Sequence, residues 1–136
     1  MAGKLTDHEI LLAAQLRQAD LVANPPLLAL FTDNITPSET TTLGSLSECT
    51  FPGYSRQVLD YSPTIVMVGH VAPIIPIALV FTRTAGAGGD NVYLYGVIDD
   101  TGTFLLWAQR DPAAPLDMSI VGATYTVTAV RNTTDL

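Results

Sequence analysis

Residues 92–109 constrain the fold more than any other stretch of the chain. They read Val-Tyr-Leu-Tyr-Gly-Val-Ile-Asp-Asp-Thr-Gly-Thr-Phe-Leu-Leu-Trp-Ala-Gln. Two β-rich runs flank Asp99-Asp100-Thr101-Gly102, and turn-formers between such runs are the signature of a β-hairpin. Both runs are apolar on both faces, which predicts a hairpin at the centre of a sheet. Val92, Leu94, Ile98, Phe104 and Leu106 are expected on one packed face. Tyr93, Tyr95, Leu105 and Trp107 are expected on the other. A lone sandwich only half needs that second face, so the surplus predicts a partner.

The rest of the chain reads as short β segments separated by turns. Residues 27–32 form a strand and 33–37 a turn. Residues 38–47 form a Thr- and Ser-rich loop with a helical turn near 43–46. Residues 49–59 contain Phe51-Pro52-Gly53-Tyr54 and predict a bent or edge strand, because proline cannot donate to a ladder. Short strands follow at 65–68 and 77–81, then a glycine-rich loop at 85–90. Beyond the hairpin come a loop at 111–115, a candidate strand at 118–121, a strand at 125–130 and a polar tail at 132–136. Short strands with turns every eight to twelve residues or so predict an antiparallel β-sandwich, jelly-roll-like in layout.

One helix is expected, at residues 6–21. Thr6 and Glu9 have the spacing of a capping box, and Leu5 and Ile10 that of a hydrophobic staple. Asp7 and Glu9 suit the positive end of the helix dipole. Asn24-Pro25-Pro26 ends the helix, since a residue before proline is pushed out of the α region. The helix carries a wide apolar arc. The expected organisation is a helical arm at 1–26 and a single β domain at 27–136.

Composition limits the partners. The 136 residues suffice for a sizeable core. Only 14% are charged and mean hydropathy is +0.33, against roughly 25% charged in a typical soluble domain. A surface that poor in charge fits one buried against other subunits. Net charge is −7, and the six cations Lys4, Arg17, Arg56, Arg83, Arg110 and Arg131 are scattered. Nucleic-acid binding and anionic membranes both need grouped cations, so neither is expected. Residues 64–81 are uncharged and mostly apolar, approaching the length of a membrane span. Gly69, His70, Pro73 and Pro76 interrupt them, and two buried strands joined by a turn explain them better. The N-terminus carries Asp7 and Glu9 and lacks the apolar run of a signal peptide. The one cysteine, Cys49, excludes an internal disulfide and reads as a core thiol.

No constellation carries chemistry. His8 lies in the first helical turn and reads as solvated, and His70 reads as a turn or core residue. A hydrolase would need His70 beside a carboxylate and a nucleophile in a cleft. Two distant histidines and one cysteine have no ligand spacing for a metal. Asp99 and Asp100 read as turn residues rather than calcium ligands. The loop Gly86-Ala87-Gly88-Gly89-Asp90 lacks the Lys-Ser/Thr continuation of a phosphate cradle. Asn34-Ile35-Thr36 and Asn132-Thr133-Thr134 match the glycosylation pattern by chance. No catalytic residue, cofactor or metal is expected. The aromatic group Tyr93, Tyr95, Phe104 and Trp107 fits core or interface anchors better than a carbohydrate platform.

Three segments in order carry a family resemblance. They are Leu28-Ala29-Leu30-Phe31-Thr32-Asp33-Asn34-Ile35-Thr36-Pro37, then Phe51-Pro52-Gly53-Tyr54, then Tyr95-Gly96-Val97-Ile98 with Leu105-Leu106-Trp107-Ala108-Gln109. Together they resemble a family of small uncharacterised proteins of tailed bacteriophages and prophages, with the pattern LxLFxNxxTP, FxGY and YGxxVT…LLWAE. Gln109 stands where that family usually has an acid, and Ile98-Asp99 where it has Val-Thr. The resemblance implies a virion-located structural protein, a head decoration or minor capsid protein, that is not an enzyme. It would self-associate, with a trimer favoured, and bind other virion proteins. Ile10, Leu12, Leu16 and Leu21 on the helix, with Tyr93, Tyr95, Leu105 and Trp107 on the hairpin, are the expected interface residues. The alternative is a tail or fibre module that binds a host receptor or glycan.

Overall fold

The computed structural model describes residues 3, 5–86, 88–89 and 91–132. Thr133 and Thr134 of the pattern Asn132-Thr133-Thr134, and with them most of the polar tail, lie outside them. The fold is mainly β, built from antiparallel pairs, with one N-terminal helix. The chain forms two compact units. One gathers Met1–Pro25, Leu59–Ala78 and Thr128–Leu136, the other Pro26–Val58 and Leu79–Val127.

The first unit is organised by helix α1 (Asp7–Ala23). Thr6 caps it, its hydroxyl accepting from the Glu9 N–H at 3.3 Å, and Asn24 closes its C-terminal end. Leu5 is 68% exposed, so the predicted staple is not packed. Ala14 and Leu21 form the buried stripe, while Leu12 and Leu16 point outward. Gln18 anchors the helix by donating to the Tyr61 and Pro63 carbonyls at 2.8 and 2.7 Å. Strand β3 (Pro73–Ile74) pairs with β10 (Arg131–Asn132). The buried Tyr61 hydroxyl donates to the Ala129 carbonyl at 2.7 Å. Residues 65–68 do not form the predicted strand. Val68 makes only a bridge to Val71, and Val66 and Val68 are 69% and 65% exposed. Pro63, Pro73 and Pro76 remove ladder donors around this stretch, which limits it to isolated pairings. No described helix is long and apolar enough to cross a membrane.

The second unit is built on a four-stranded sheet. Its strands are β1 (Leu27–Phe31), β2 (Gln57–Val58), β6 (Leu94–Ile98) and β7 (Leu105–Arg110), in the order β2-β1-β6-β7. Leu28, Ala29, Leu30 and Phe31 are all fully buried, so β1 is covered on both faces. Ala29, Phe31, Leu94 and Ile98 form one core cluster, with Leu43, Leu46, Tyr93 and Leu105 packed against it. Leu43 and Leu46 reach it from a 3-10 turn at Leu43–Ser45, the predicted helical turn. Gly96 lies opposite Ala29, and a Cβ there would come within 2.7 Å of the Phe31 ring. The predicted bent strand reduces to β2 at the sheet edge, with Phe51-Pro52-Gly53-Tyr54 as a turn.

Two further pairs complete this unit. Strand β4 (Leu79–Thr82) pairs with β9 (Thr124–Val127), setting buried Phe81 opposite buried Tyr125. Strand β5 (Asn91–Val92) pairs with β8 (Leu116–Asp117). The candidate strand at 118–121 is therefore displaced to β8. A side-chain bond from the Ser119 N–H to Asp117 starts a turn there instead. Arg83 is 5% exposed, and its guanidinium donates to the carbonyls of Ala85, Gly88 and Met118. It closes the glycine-rich loop that sequence reading compared with a phosphate cradle; Ala87 and Asp90 of that loop lie outside the described residues.

Candidate functional site

The hairpin of β6 and β7 provides the candidate site, an edge rather than a sheet centre. Strand β6 is central, but β7 ends the sheet, and no strand among the described residues pairs with its far side. The predicted central position thus holds for one arm of the hairpin only.

Its register changes part-way. Leu94, Tyr95, Gly96 and Val97 face Arg110, Gln109, Ala108 and Trp107 in turn, and then Ile98 faces Leu105. The irregularity between Val97 and Ile98 leaves Leu106 as the extra residue of a bulge. A bulge shifts every later side chain by one position relative to the pleat. Leu105 therefore joins the Ile98 face and the core cluster. Phe104 and Leu106, both assigned to the packed face from the sequence, are 67% and 42% exposed. That assignment is corrected by the bulge.

The turn before β7 is held rigidly. Asp99 Oδ1 accepts from the Thr103 and Phe104 N–H groups at 2.8 and 2.9 Å, and Oδ2 from the Thr101 hydroxyl at 2.6 Å. These bonds hold the Asp99 carboxyl below its usual range, with the Phe104 N–H the leading cause. Its oxygens serve the turn, as expected of a turn residue. Arg56 braces the turn from outside by donating to the Gly102 carbonyl at 3.3 Å.

Arg56 belongs to a network that sequence reading missed. Its Nη2 meets Glu48 Oε1 at 2.9 Å. The Tyr54 hydroxyl donates to Glu48 Oε2 at 2.5 Å and accepts from the Leu30 N–H at 3.2 Å. Tyr54 thus serves a backbone donor of β1 where no strand residue does. Burial pushes the Glu48 carboxyl up, but the Arg56 and Tyr54 hydrogen bonds and the Arg56 charge outweigh it and hold it low. Burial pushes the Tyr54 phenol up, and its bond to Glu48 pushes it further.

At the other end of β7, Arg110 lies 5.4 Å over the Tyr93 ring and donates to Asn34 Oδ1 at 2.7 Å. The Tyr95 hydroxyl donates to Gln109 at 2.9 Å. Beside β7 run two adjoining clefts. One, of about 230 Å³, lies between Pro37, Ser38, Glu39 and Thr41 and residues 105–108. The other, of about 300 Å³, lies between residues 41–44 and 103–105. They share Thr41 and Leu105, so they line one side of the strand as a shallow groove.

The eight expected interface residues divide between the units. On α1, Leu12 and Leu16 are 40% and 75% exposed, Ile10 is half-buried, and Leu21 is buried. On the hairpin, Tyr93, Tyr95, Leu105 and Trp107 are all half-buried. His70 does stand beside a carboxylate, its Nδ1 2.9 Å from Asp7 Oδ1, but both side chains are open to solvent, at 87% and 57% exposed. No group of three or more His, Cys, Asp or Glu among the described residues could hold a metal ion. Cys49 is buried.

No family model, no curated protein and no solved structure matches the chain.

Proposed function

We propose that this chain is a structural, non-enzymatic protein of a tailed-phage particle, a head decoration or minor head protein that self-associates and binds the particle surface. The observation that carries the reading is the start of β7 and the residue before it, where Leu106 and Phe104 are exposed in a run without formal charge. Exposed apolar side chains grouped on a surface suit burial against another chain. The sparse charge of the whole chain and the resemblance of its three segments to phage proteins support the same reading. Many modest contacts on a fixed lattice would reinforce one another. Neither nucleic acid nor a membrane is part of the proposal. The test is to purify particles of the phage or prophage that encodes the chain on a density gradient and quantify the protein in them. A fixed copy number per particle is expected; its absence from the particles rejects the reading.

A second reading has one observation in its favour. Phe104 is exposed at the hairpin tip next to Asp99 and Asp100, as a glycan-binding loop of a tail or fibre module would need. Asp99 is already committed to its own turn, which weakens that reading. Loss of host-cell adsorption in Phe104→Ala particles of normal composition would favour it.

A further inference from the structure

We infer that Arg56 is a positioning residue for the proposed contact surface: held by Glu48, it fixes where the tip at residues 99–104 stands, and with it the exposed Phe104. The inference rests on the surface contact just proposed for its purpose, but not for its geometry.

The tip overhangs the sheet. Strand β1 accompanies β6 only as far as the pair of Leu27 and Ile98, so beyond Ile98 the hairpin runs without β1 beside it. At the base of the tip, between Val97 and Ile98, the register of β6 and β7 is irregular. A bulge disrupts the ladder locally and bends the strand, so the ladder alone is a loose hold. Leu105 packs against the core cluster and pins the near end, but Phe104 lies beyond it.

Inside the tip the hydrogen bonds turn inward. Besides the three that the Asp99 side chain accepts, the Asp99 N–H donates to the Phe104 carbonyl and the Gly102 N–H to the Asp99 carbonyl, both at 2.9 Å. These bonds fix the shape of the tip and not its direction. Among the described residues, the one hydrogen bond that leaves it is from Arg56 Nη1 to the Gly102 carbonyl.

That bond ends a relay that starts in β1, the strand covered on both faces. The Leu30 N–H donates to the Tyr54 hydroxyl, and that hydroxyl donates to Glu48. The Glu48 carboxylate takes Nε and Nη2 of Arg56 at 2.9 to 3.2 Å. Its main chain is bridged to Phe31 of β1. With two nitrogens spent on Glu48, the planar guanidinium presents Nη1 in a set direction. The relay therefore refers the tip to β1 without passing through the bulge. Gly102 leaves room for this approach, since a Cβ there would stand 3.3 Å from Nη1. The side chains of Arg56 and Glu48 are 31% and 26% exposed. An ion pair so open to solvent adds little to global stability, so its larger consequence is the direction of the tip.

The experiment compares backbone nitrogen relaxation of the full chain as wild type, Arg56→Lys and Arg56→Ala. It also measures how each binds purified particles of the phage or prophage made without the chain. In the wild type the Gly102, Thr103 and Phe104 amides should be as ordered as β6, with order parameters of about 0.85. In both variants they should fall toward about 0.6, while unchanged β1 and β6 amides report that each variant is folded. Lysine separates positioning from charge pairing. It restores a cation beside Glu48 but brings a point charge in place of a fork, so it cannot hold Glu48 and Gly102 together. Both variants should bind particles roughly threefold to tenfold more weakly, since a loose tip must be ordered on contact. Phe104→Ala should also weaken binding, but with the amides of the tip still ordered. Tip amides that stay ordered in Arg56→Ala, or that lysine restores, overturn the inference. So does a loosened tip that binds particles as the wild type does. A wild-type chain that binds no particles rejects the proposed function, whereas the relaxation data still decide whether Arg56 places the tip.

Discussion

Gly96 and Phe31 show how one missing atom fixes a core. The ring of Phe31 occupies the space a side chain at 96 would fill, with Leu105 Cδ1 2.9 Å from the same point. Gly96→Ala should cost about 1–3 kcal/mol by overpacking, measured by chemical denaturation. Phe31→Leu in the same chain should recover part of that loss if the ring is the obstacle. A glycine within a β-rich run suits a close approach to the backbone. Its partner, 65 positions earlier, was not legible in the sequence, because nothing local links the two. Glu48 is a second such residue. Its carboxyl titrates below the ordinary 4.5 in the folded chain, because Arg56 and Tyr54 outweigh the effect of burial. The stability it contributes is present in full above the ordinary value and is lost as pH falls through the lowered one. Glu48→Gln should lower stability at neutral pH and flatten its decline between about pH 5 and pH 3, as read from urea midpoints. A smaller midpoint loss at neutral pH than at pH 3 would contradict this.

At the scale of elements, α1 was legible because its signals are local. The Thr6 cap and the Asn24-Pro25-Pro26 stop lie within the segment they delimit, and the helix runs only two residues past its expected end. Which of its faces packs was not legible, since apolar residues ring it broadly. Leu21→Ala should cost about 2–5 kcal/mol and Leu16→Ala well under 1 kcal/mol, and calorimetry of the two variants checks the orientation. Strand β7 was legible as a strand but not in its facing. Alternation assigned Phe104 and Leu106 inward, and a one-residue bulge reversed them. Bulges depend on pairing with β6, so the sequence of β7 alone does not reveal them. The aromatic clusters repeat the lesson. Tyr54 stacks on Phe81 at 5.8 Å and meets Phe51 edge-on at 5.4 Å, joining a turn to a strand that begins 25 residues later.

At the scale of the whole molecule, the first unit is assembled from three separated segments of the chain. Neither α1 nor residues 59–78 complete it, because β10 and the carbonyl of Ala129 close it last in sequence. A chain truncated after Val127 should lose hydrogen-exchange protection in α1 and around Tyr61 while β1 and β6 stay protected. Equal loss in both units would show that they do not unfold separately. Sequence reading placed the boundary after residue 26 because proline pairs are strong local punctuation, whereas returns of the chain leave no local mark. Tyrosine ionisation offers a global check. Burial raises the phenols of Tyr54, Tyr125 and Tyr95, and carboxylates at Glu48 and Asp111 raise them further. Absorbance near 295 nm should show fewer than the five tyrosines ionising near pH 10 in the folded chain, with the rest appearing on unfolding. All five titrating together would place these rings in solvent.

Arg83 has one more consequence. Every acceptor of its hydrogen bonds among the described residues is a main-chain carbonyl, and a carbonyl survives any side-chain replacement. A new side chain at Ala85 can therefore change the outer chemistry of the loop without loosening its closure, whereas Gly86, Gly88 and Gly89 all hold positive φ, and a Cβ at Gly89 would also stand 2.9 Å from the guanidinium. The closure is indifferent to side-chain chemistry and dependent on backbone conformation. Arg83→Ala should lower the melting temperature, whereas Ala85→Ser should leave it unchanged.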